Sequence, residues 1–392
     1  MAVAGCGPAG LAAALLLARD GHHVTIYERF DAPAPLGSGL MIQPTGLAVL
    51  RALGLDGALI ARSARIDRLF GAADGRVVLD VGYATLRQAG LCGFGVHRAT
   101  LFAVLHDAVT AAGISIETGR AIAGSELSGY GRRRLAFVDG TRSAAFDLIV
   151  DALGTRTPLA PPCGRALPYG ALWASLRRTE GFATNALEQR YRRASAMAGV
   201  LPIGRPRGAS ADHAAFFWSI RADRLERWRD AGLEAWKEEV RALWPATAPL
   251  LDQIGDAGQL TFARYAHRTL RRPVDAALIH IGDAWHSASP QLGQGANMAL
   301  LDAFALARGL RNAPDVLSGI AAAVRMRRRH VRLYQALTAV FTPVYQSDSR
   351  TLPFVRDRLV GPLSGSWPAN RIQAAMVSGL IGKPLEPLGL TV

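Results

Sequence analysis

The sequence predicts an α/β fold: a parallel-sheet domain interleaved with a smaller β-sheet domain and closed by C-terminal helices. Three observations predict it. The N-terminal stretch up to Glu28 reads as strand, glycine turn, helix and strand, a βαβ unit. Far downstream a second buried strand, Ala277 to Ile281, runs directly into Gly282-Asp283 and a glycine-bearing loop. Between them helix patterns alternate with two kinds of strand pattern, as expected when one sheet domain is inserted into another in pieces.

In chain order, Ala2 to Ala4 is a short apolar strand and Gly5-Cys6-Gly7-Pro8-Ala9-Gly10 is the turn. Leu11 to Arg19 is a helix that Gly21 ends, and His22 to Glu28 is the next strand. Leu36 to Leu40 reads as a glycine-rich loop, and Pro44 to Leu53 as a helix closed by Gly54. Ala64 to Val81 holds strands joined by an Ala-Asp-Gly turn. Gly93 to Arg98 leads into a helix from about Thr100 to Ala112, and strands follow at Ser115 to Glu117, Leu135 to Val138 and Phe146 to Val150. Leu172 to Leu176 and Ala214 to Ile220 belong to the second sheet, beside helix signals over Leu225 to Leu243. Two helices, about Asn297 to Leu310 and Pro314 to Val344, precede a proline-interrupted tail.

At 392 residues the chain can bury a large core, and with half its residues apolar and 19% charged it is globular. The net charge is +14, supplied almost wholly by arginine, since Lys237 and Lys383 are the only lysines. Neither interleaved aromatics nor a binding motif accompanies the charge, so no nucleic-acid partner is expected. The densest basic run, Arg325 to Arg332, shares its helix with a stripe of Ile320, Val324, Val331, Tyr334, Phe341 and Tyr345, which predicts one buried face with solvated arginines opposite. Contact of those arginines with an anionic lipid surface or a partner is the second expectation for them. Cys6, Cys92 and Cys163 form neither a disulfide framework nor a metal spacing, which points to a reducing, cytoplasmic setting and no metal. No run approaches the roughly 18 apolar residues that would span a bilayer.

In the opening turn, Gly5 permits the sharp strand-to-helix reversal, Gly7 lets a pyrophosphate approach the backbone, and Gly10 lets helix and strand pack closely. The helix N-terminus behind Ala9 offers unpaired N–H groups and a positive dipole to phosphates. Glu28, with Arg29 after it, stands where a ribose-binding carboxylate belongs. This is a Rossmann-like dinucleotide site, and the turn alone does not choose between FAD and NAD(P).

The downstream segment chooses. Gly282-Asp283, then Pro290-Gln291-Leu292-Gly293-Gln294-Gly295-Ala296-Asn297 and a helix resemble the second FAD fingerprint of the class A flavoprotein monooxygenases, the para-hydroxybenzoate hydroxylase family of aromatic-ring hydroxylases. The resemblance runs through most of the chain. It implies an FAD-binding domain of residues 1–63, 96–164 and 263–310, a substrate domain of residues 64–95 and 165–262, and a C-terminal helical segment of residues 311–392. Asp283 would hold a ribityl hydroxyl, and Pro290, Gly293, Gly295, Ala296 and Asn297 would surround the flavin head, where fixed N–H donors stabilise negative charge on the ring. Arg98 would approach the FAD phosphates.

The family's third element carries a Gly-Ala-Asp-Gly turn, whereas this chain has Asp151-Ala152-Leu153-Gly154. Leu153 thus replaces the carboxylate, with Asp151 the group positioned to compensate for it. The implied activity takes electrons from NADH or NADPH, forms a flavin C4a-hydroperoxide with O2 and hydroxylates an aromatic or heteroaromatic small molecule. Trp173, Phe217 and Trp218 are the candidate pocket walls, and His286, Pro290 and Tyr265 the candidate catalytic groups. Two alternatives stand beside it: a flavin reductase or dehydrogenase without oxygen insertion, and a membrane-associated flavoprotein acting on a quinone precursor. The Trp-x-Trp-x-Ile-Pro motif of flavin halogenases is absent.

Overall fold

A computed structural model describes residues 1–32 and 38–392, leaving aside the side chains of residues 359, 360, 362 and 363. Part of the predicted loop at residues 36–40 therefore lies outside the described residues; Gly39–Ile42 is a strand.

The N-terminal βαβ unit forms as predicted. Ala2–Ala4 pairs in parallel with Thr25–Tyr27 on one side and with Ile149–Asp151 on the other. The six-stranded sheet runs Val274–Asp275, Leu278–His280, Ile149–Asp151, Ala2–Ala4, Thr25–Tyr27, Ser115–Glu117. Only its first strand is antiparallel. Strands buried on both faces need no alternation, and Ala2, Val3, Ala4, Ile149 and Val150 are fully buried. Helix Pro8–Arg19 starts three residues before the predicted Leu11 because Pro8 is accommodated at its first position. It packs with Gly295–Arg311 and Arg98–Ala111 against the sheet.

The second sheet has eight strands: His286–Ser287, Thr261–Thr269, Arg165–Arg177, His213–Arg221, Ala196–Gly204, Ala186–Arg192, Arg68–Ala73 and Arg76–Gly82. Strand Thr261–Thr269 straddles the boundary expected at residue 263. Strands Ala186–Arg192 and Ala196–Gly204 were not predicted. The first carries four charged or amide side chains, and the second is buried at every position, so neither alternates. Ile122–Leu127, paired with Arg133–Phe137, is a further unpredicted strand. The helical stretch expected over Leu225 to Leu243 forms two helices, Leu225–Ala231 and Leu233–Leu243, separated where Gly232 adopts φ +85°, ψ 163°. One face of the sheet is covered by these helices, through Trp218, Trp236, Val240 and Trp244. The other face, with Phe217, Leu201 and Ile203, looks toward Met41 and the three-stranded sheet Gly39–Ile42, Gly93–His97, Ala64–Ile66.

The long helix Val316–Tyr345 buries Ile320, Val324, Val331 and Tyr334, as its stripe predicts, and exposes Arg325, Arg328, Arg329 and Arg332. Arg327 departs from the prediction. It is 1% exposed, because it continues the buried stripe seven residues after Ile320 and three after Val324.

Candidate active site

Parallel register places four chain reversals along one sheet edge. Tyr27, Ala4, Asp151 and His280 are mutual partners across adjacent strands. Hence Glu28, Gly5, Ala152 and Ile281 leave the sheet side by side at its carboxyl end, where open α/β sheets bind ligands. All three sequence elements singled out for a dinucleotide thus leave the sheet at the same end.

At the first reversal Gly5 has φ +103°, and a Cβ there would lie 2.7 Å from the Ala152 carbonyl oxygen. At Gly10 a Cβ would lie 2.0 Å from the Gly5 carbonyl oxygen, so helix and turn touch backbone to backbone. A Cβ on Gly7 would meet nothing within 4 Å. Gly7 is the N-cap, and the first helical bond runs from Leu11 N–H to its carbonyl at 2.9 Å, leaving the N–H groups of Ala9 and Gly10 without a helical acceptor. The Glu28 carboxylate accepts from Cys6 N–H at 2.9 Å and from Arg29 N–H at 2.8 Å, which fixes it beside the glycine turn. Burial and then the Glu28 charge push the Cys6 thiol up to about 12. Arg29 is exposed and its guanidinium stacks over Phe30 at 4.5 Å.

At the far end Gly282–Ala284 forms a short turn that presents Asp283 to solvent within a recess of dense protein. That enclosure raises its carboxyl above the usual range, against the pull of His286 and Arg98. Arg98 opens helix Arg98–Ala111, its N–H donating to the Ser38 carbonyl at 2.8 Å. Helix Gly295–Arg311 makes its first bond from Met298 N–H to Gln294 C=O, so the N–H groups of Gly295, Ala296 and Asn297 have no helical acceptor. Nothing lies within 4 Å of a Cβ on Gly295, and Gly293 turns through φ +61°.

Several predicted residues are placed differently. The Asn297 side chain is fully buried and spent on the protein: Oδ1 accepts from Gln43 N–H at 2.8 Å, and Nδ2 donates to the Met41 and Gly293 carbonyls at 3.0 Å each. It pins the glycine loop to strand Gly39–Ile42, and only its backbone N–H remains for a ligand. His286 is 3% exposed, with Nε2 2.6 Å from the Asp302 carboxylate, so it faces the interior and not the crevice. Pro290 is exposed and begins the turn before Gly293. Asp151 does not compensate for Leu153. It is fully buried, accepting from Leu153 N–H at 3.0 Å and from the Thr157 hydroxyl at 2.6 Å, and its Oδ2 lies 2.6 Å from His280 Nδ1. It shapes the Leu153 turn from beneath.

The structure brings together three of the four aromatic candidates. Trp173 and Phe217 stack at 4.6 Å between centroids, 28° apart, and Trp173 Nε1–H donates to the Tyr265 hydroxyl at 3.2 Å. Burial pushes the Tyr265 phenol up to about 12, against Trp173 and Arg98. Trp218 is excluded from this group. Adjacent to Phe217 in a strand, it points to the opposite face and joins the core beneath helices Leu225–Ala231 and Leu233–Leu243.

These residues fit FAD. Gly7 and Gly295, at each of which a Cβ would meet nothing within 4 Å, each cap or open a helix whose first N–H groups are unspent. One supplies an anion cradle for a diphosphate, the other donors for an electron-rich ring edge. Sequence reading missed two organisers of the site: Gln43, whose N–H anchors Asn297 and whose Oε1 accepts from the Tyr83 hydroxyl, and Asp302. Asp302 lies on a helix face that reads as ordinary core, but an acid amid Leu300, Leu301 and Ala303 was a visible anomaly.

Residues 1–328 match the family model described as FAD binding domain. A curated relative, the FAD-dependent monooxygenase janM of Penicillium janthinellum, is 30% identical over 120 residues, 28% of this chain. The match spans 25% of that relative's length. A tetrameric form of 2-methyl-3-hydroxypyridine-5-carboxylic acid oxygenase superposes with a TM-score of 0.79 at 21% identity, covering 98% of this chain and 96% of that one. Klebsiella pneumoniae HpxO complexed with FAD and uric acid gives 0.78 at 18% identity, covering 97% of each chain. PqsL of Pseudomonas aeruginosa in complex with 2-aminobenzoylacetate gives 0.76 at 19% identity, over 91% of this chain and 98% of that one.

Proposed function

The chain belongs to the FAD-binding-domain family, and from that premise we propose that it is a single-component monooxygenase of aromatic or heteroaromatic small molecules. It takes two electrons from NADH or NADPH, passes one atom of O2 to the ring and releases the other as water. The row of reversals at Glu28, Gly5, Ala152 and Ile281 supports this reading most, since it gathers both glycine turns at one crevice. The stacked Trp173–Phe217 pair adds a flat apolar wall on the inner face of the second sheet. Relatives of the same fold are named for a hydroxypyridine carboxylate and complexed with uric acid, both ring compounds.

Bound FAD supplies the electron transfer and oxygen chemistry. The chain's own residues bind and orient. Ala9 and Gly10 N–H groups, with Gly7 leaving room, receive the diphosphate; Glu28 accepts from the adenosine ribose; Asp283 accepts from the ribityl chain; Gly295, Ala296 and Asn297 N–H groups face the ring. Arg98 sets the charge around Asp283 and Tyr265. Trp173, Phe217 and Tyr265 hold the substrate ring and keep water from it. The Tyr265 hydroxyl, already receiving the Trp173 N–H, is available to donate to a polar substituent.

Stopped-flow reduction of the purified holoprotein with each nicotinamide, with and without a panel of phenols and hydroxypyridines, tests the proposal. Ring-accelerated reduction followed by O2-dependent oxygenated product is expected. Reduction indifferent to every ring, with only hydrogen peroxide released on reoxidation, would favour the reductase reading. Trp173→Ala is expected to raise substrate KM at least tenfold while leaving FAD content unchanged.

A further inference from the structure

A buried polar chain links the C-terminal segment to the Asp283 turn. Asp302 Oδ2 accepts from Gly282 N–H at 3.0 Å and lies 2.6 Å from His286 Nε2. One carboxylate oxygen therefore pins the backbone before Asp283 and the side chain three residues after it. Asp302 stands seven residues beyond Gly295 on the helix whose N-terminus faces the crevice. It thereby ties the two sides of the site to one rigid element.

The other oxygen, Oδ1, accepts from Arg327 Nε at 2.8 Å. Arg327 Nη1 donates to His330 Nδ1 at 3.0 Å, and His330 Nε2 then donates to the Gly379 carbonyl at 3.1 Å. Tyr334, one turn on, donates to the Met376 carbonyl at 2.7 Å. Asp302, Arg327, His286 and His330 are each no more than 3% exposed.

We infer that Asp302 is a positioning residue for the Gly282-Asp283 turn, and that the C-terminal segment completes the flavin site through Gly379, His330 and Arg327. This rests on the flavin reading proposed above. A buried ion pair is a poor device for stability alone, because apolar residues of similar volume commonly serve as well. It is a good device for direction, since each hydrogen bond in the chain orients the next group. The charge of Asp302 also reaches Asp283, whose carboxyl it helps to raise.

Two double variants separate positioning from packing. Asp302→Asn/Arg327→Met keeps an amide oxygen for Gly282 N–H and leaves no unpaired charge; its FAD Kd is expected within threefold of the unmodified protein's. Asp302→Leu/Arg327→Met removes that acceptor and is expected to bind FAD at least tenfold more weakly, with circular dichroism and apoprotein Tm reporting intact folding. Equal FAD affinity in the two folded variants would overturn the assignment. Should the leucine variant fail to fold, hydrogen exchange on the unmodified protein decides: added FAD must slow exchange around residues 327–330 and 376–381, and unchanged exchange there overturns the inference. An unmodified protein that takes up no FAD would instead bring down the flavin reading, and the inference with it.

Discussion

Gly7 and Gly10 stand three residues apart in one turn, yet their substitution should fail in opposite ways. A Cβ at Gly7 meets no protein atom within 4 Å, so Gly7→Val should fold with an unchanged Tm and purify without FAD. A yellow Gly7→Val protein would contradict the placement of the diphosphate. Gly10→Val drives its Cβ into the Gly5 carbonyl, and overpacking of this kind costs about 1–3 kcal/mol or more, read as a lowered Tm or loss of soluble protein. Asp283→Ala should weaken FAD retention by about 1–3 kcal/mol, the cost of a lost hydrogen bond to a charged acceptor. Titration of apoprotein with FAD checks it, and an unchanged Kd would remove Asp283 from the site.

At the scale of elements, acid should loosen the seam between helix Val316–Tyr345 and the Asp283 turn. Burial, and then the Arg327 charge, push His330 from 6.5 down to about 3. Burial alone would raise the Asp302 carboxyl, yet His286 and Arg327 pull it down to about 2. Both folded values lie below the unfolded ones, so the unfolded chain binds more protons as pH falls. Stability is therefore full above about pH 6.5 and declines below it, first through His330 and then, under pH 4, through Asp302 as well. The slope is about 1.4 kcal/mol per pH unit for each such group. Thermal melts of His330→Gln should show a shallower loss between pH 6 and 4 than the unmodified protein, and an equal loss would show that His330 does not drive it.

Much at this scale was legible beforehand. Strands Ala2–Ala4 and Leu278–His280, the helices after each glycine turn and the buried stripe of the long helix follow directly from local pattern. The remainder depended on tertiary context. Whether Asn297 faces a ligand or the backbone is decided by strand Gly39–Ile42 lying alongside, two hundred and more residues away in sequence. The commitment of Asp151 to His280 and Thr157 is likewise invisible until the strands are laid in register. Strand parity does separate Phe217 from Trp218, but which of the two faces the crevice depends on where helix Leu233–Leu243 docks.

Over the whole molecule the charge is uneven in consequence as well as in amount. Arg325, Arg328, Arg329 and Arg332 project from the long helix, and among the described residues the segment after it exposes Phe354 and Trp367. Basic and aromatic side chains together are what an anionic lipid interface attracts. Sedimentation with anionic vesicles at low salt should carry the protein down, and high salt should release it. Attachment indifferent to salt and to lipid charge would rule out this electrostatic contact. No helix among the described residues is long and apolar enough to cross a membrane.

The most direct test of the central claim is the visible absorption spectrum of the protein purified under native conditions, followed by FAD titration of any colourless fraction. A flavin spectrum that is released as intact FAD on denaturation, and regained when FAD is added back, is the predicted result. A colourless polypeptide that takes up no FAD would contradict the crevice assigned to Gly7, Glu28, Asp283 and Gly295.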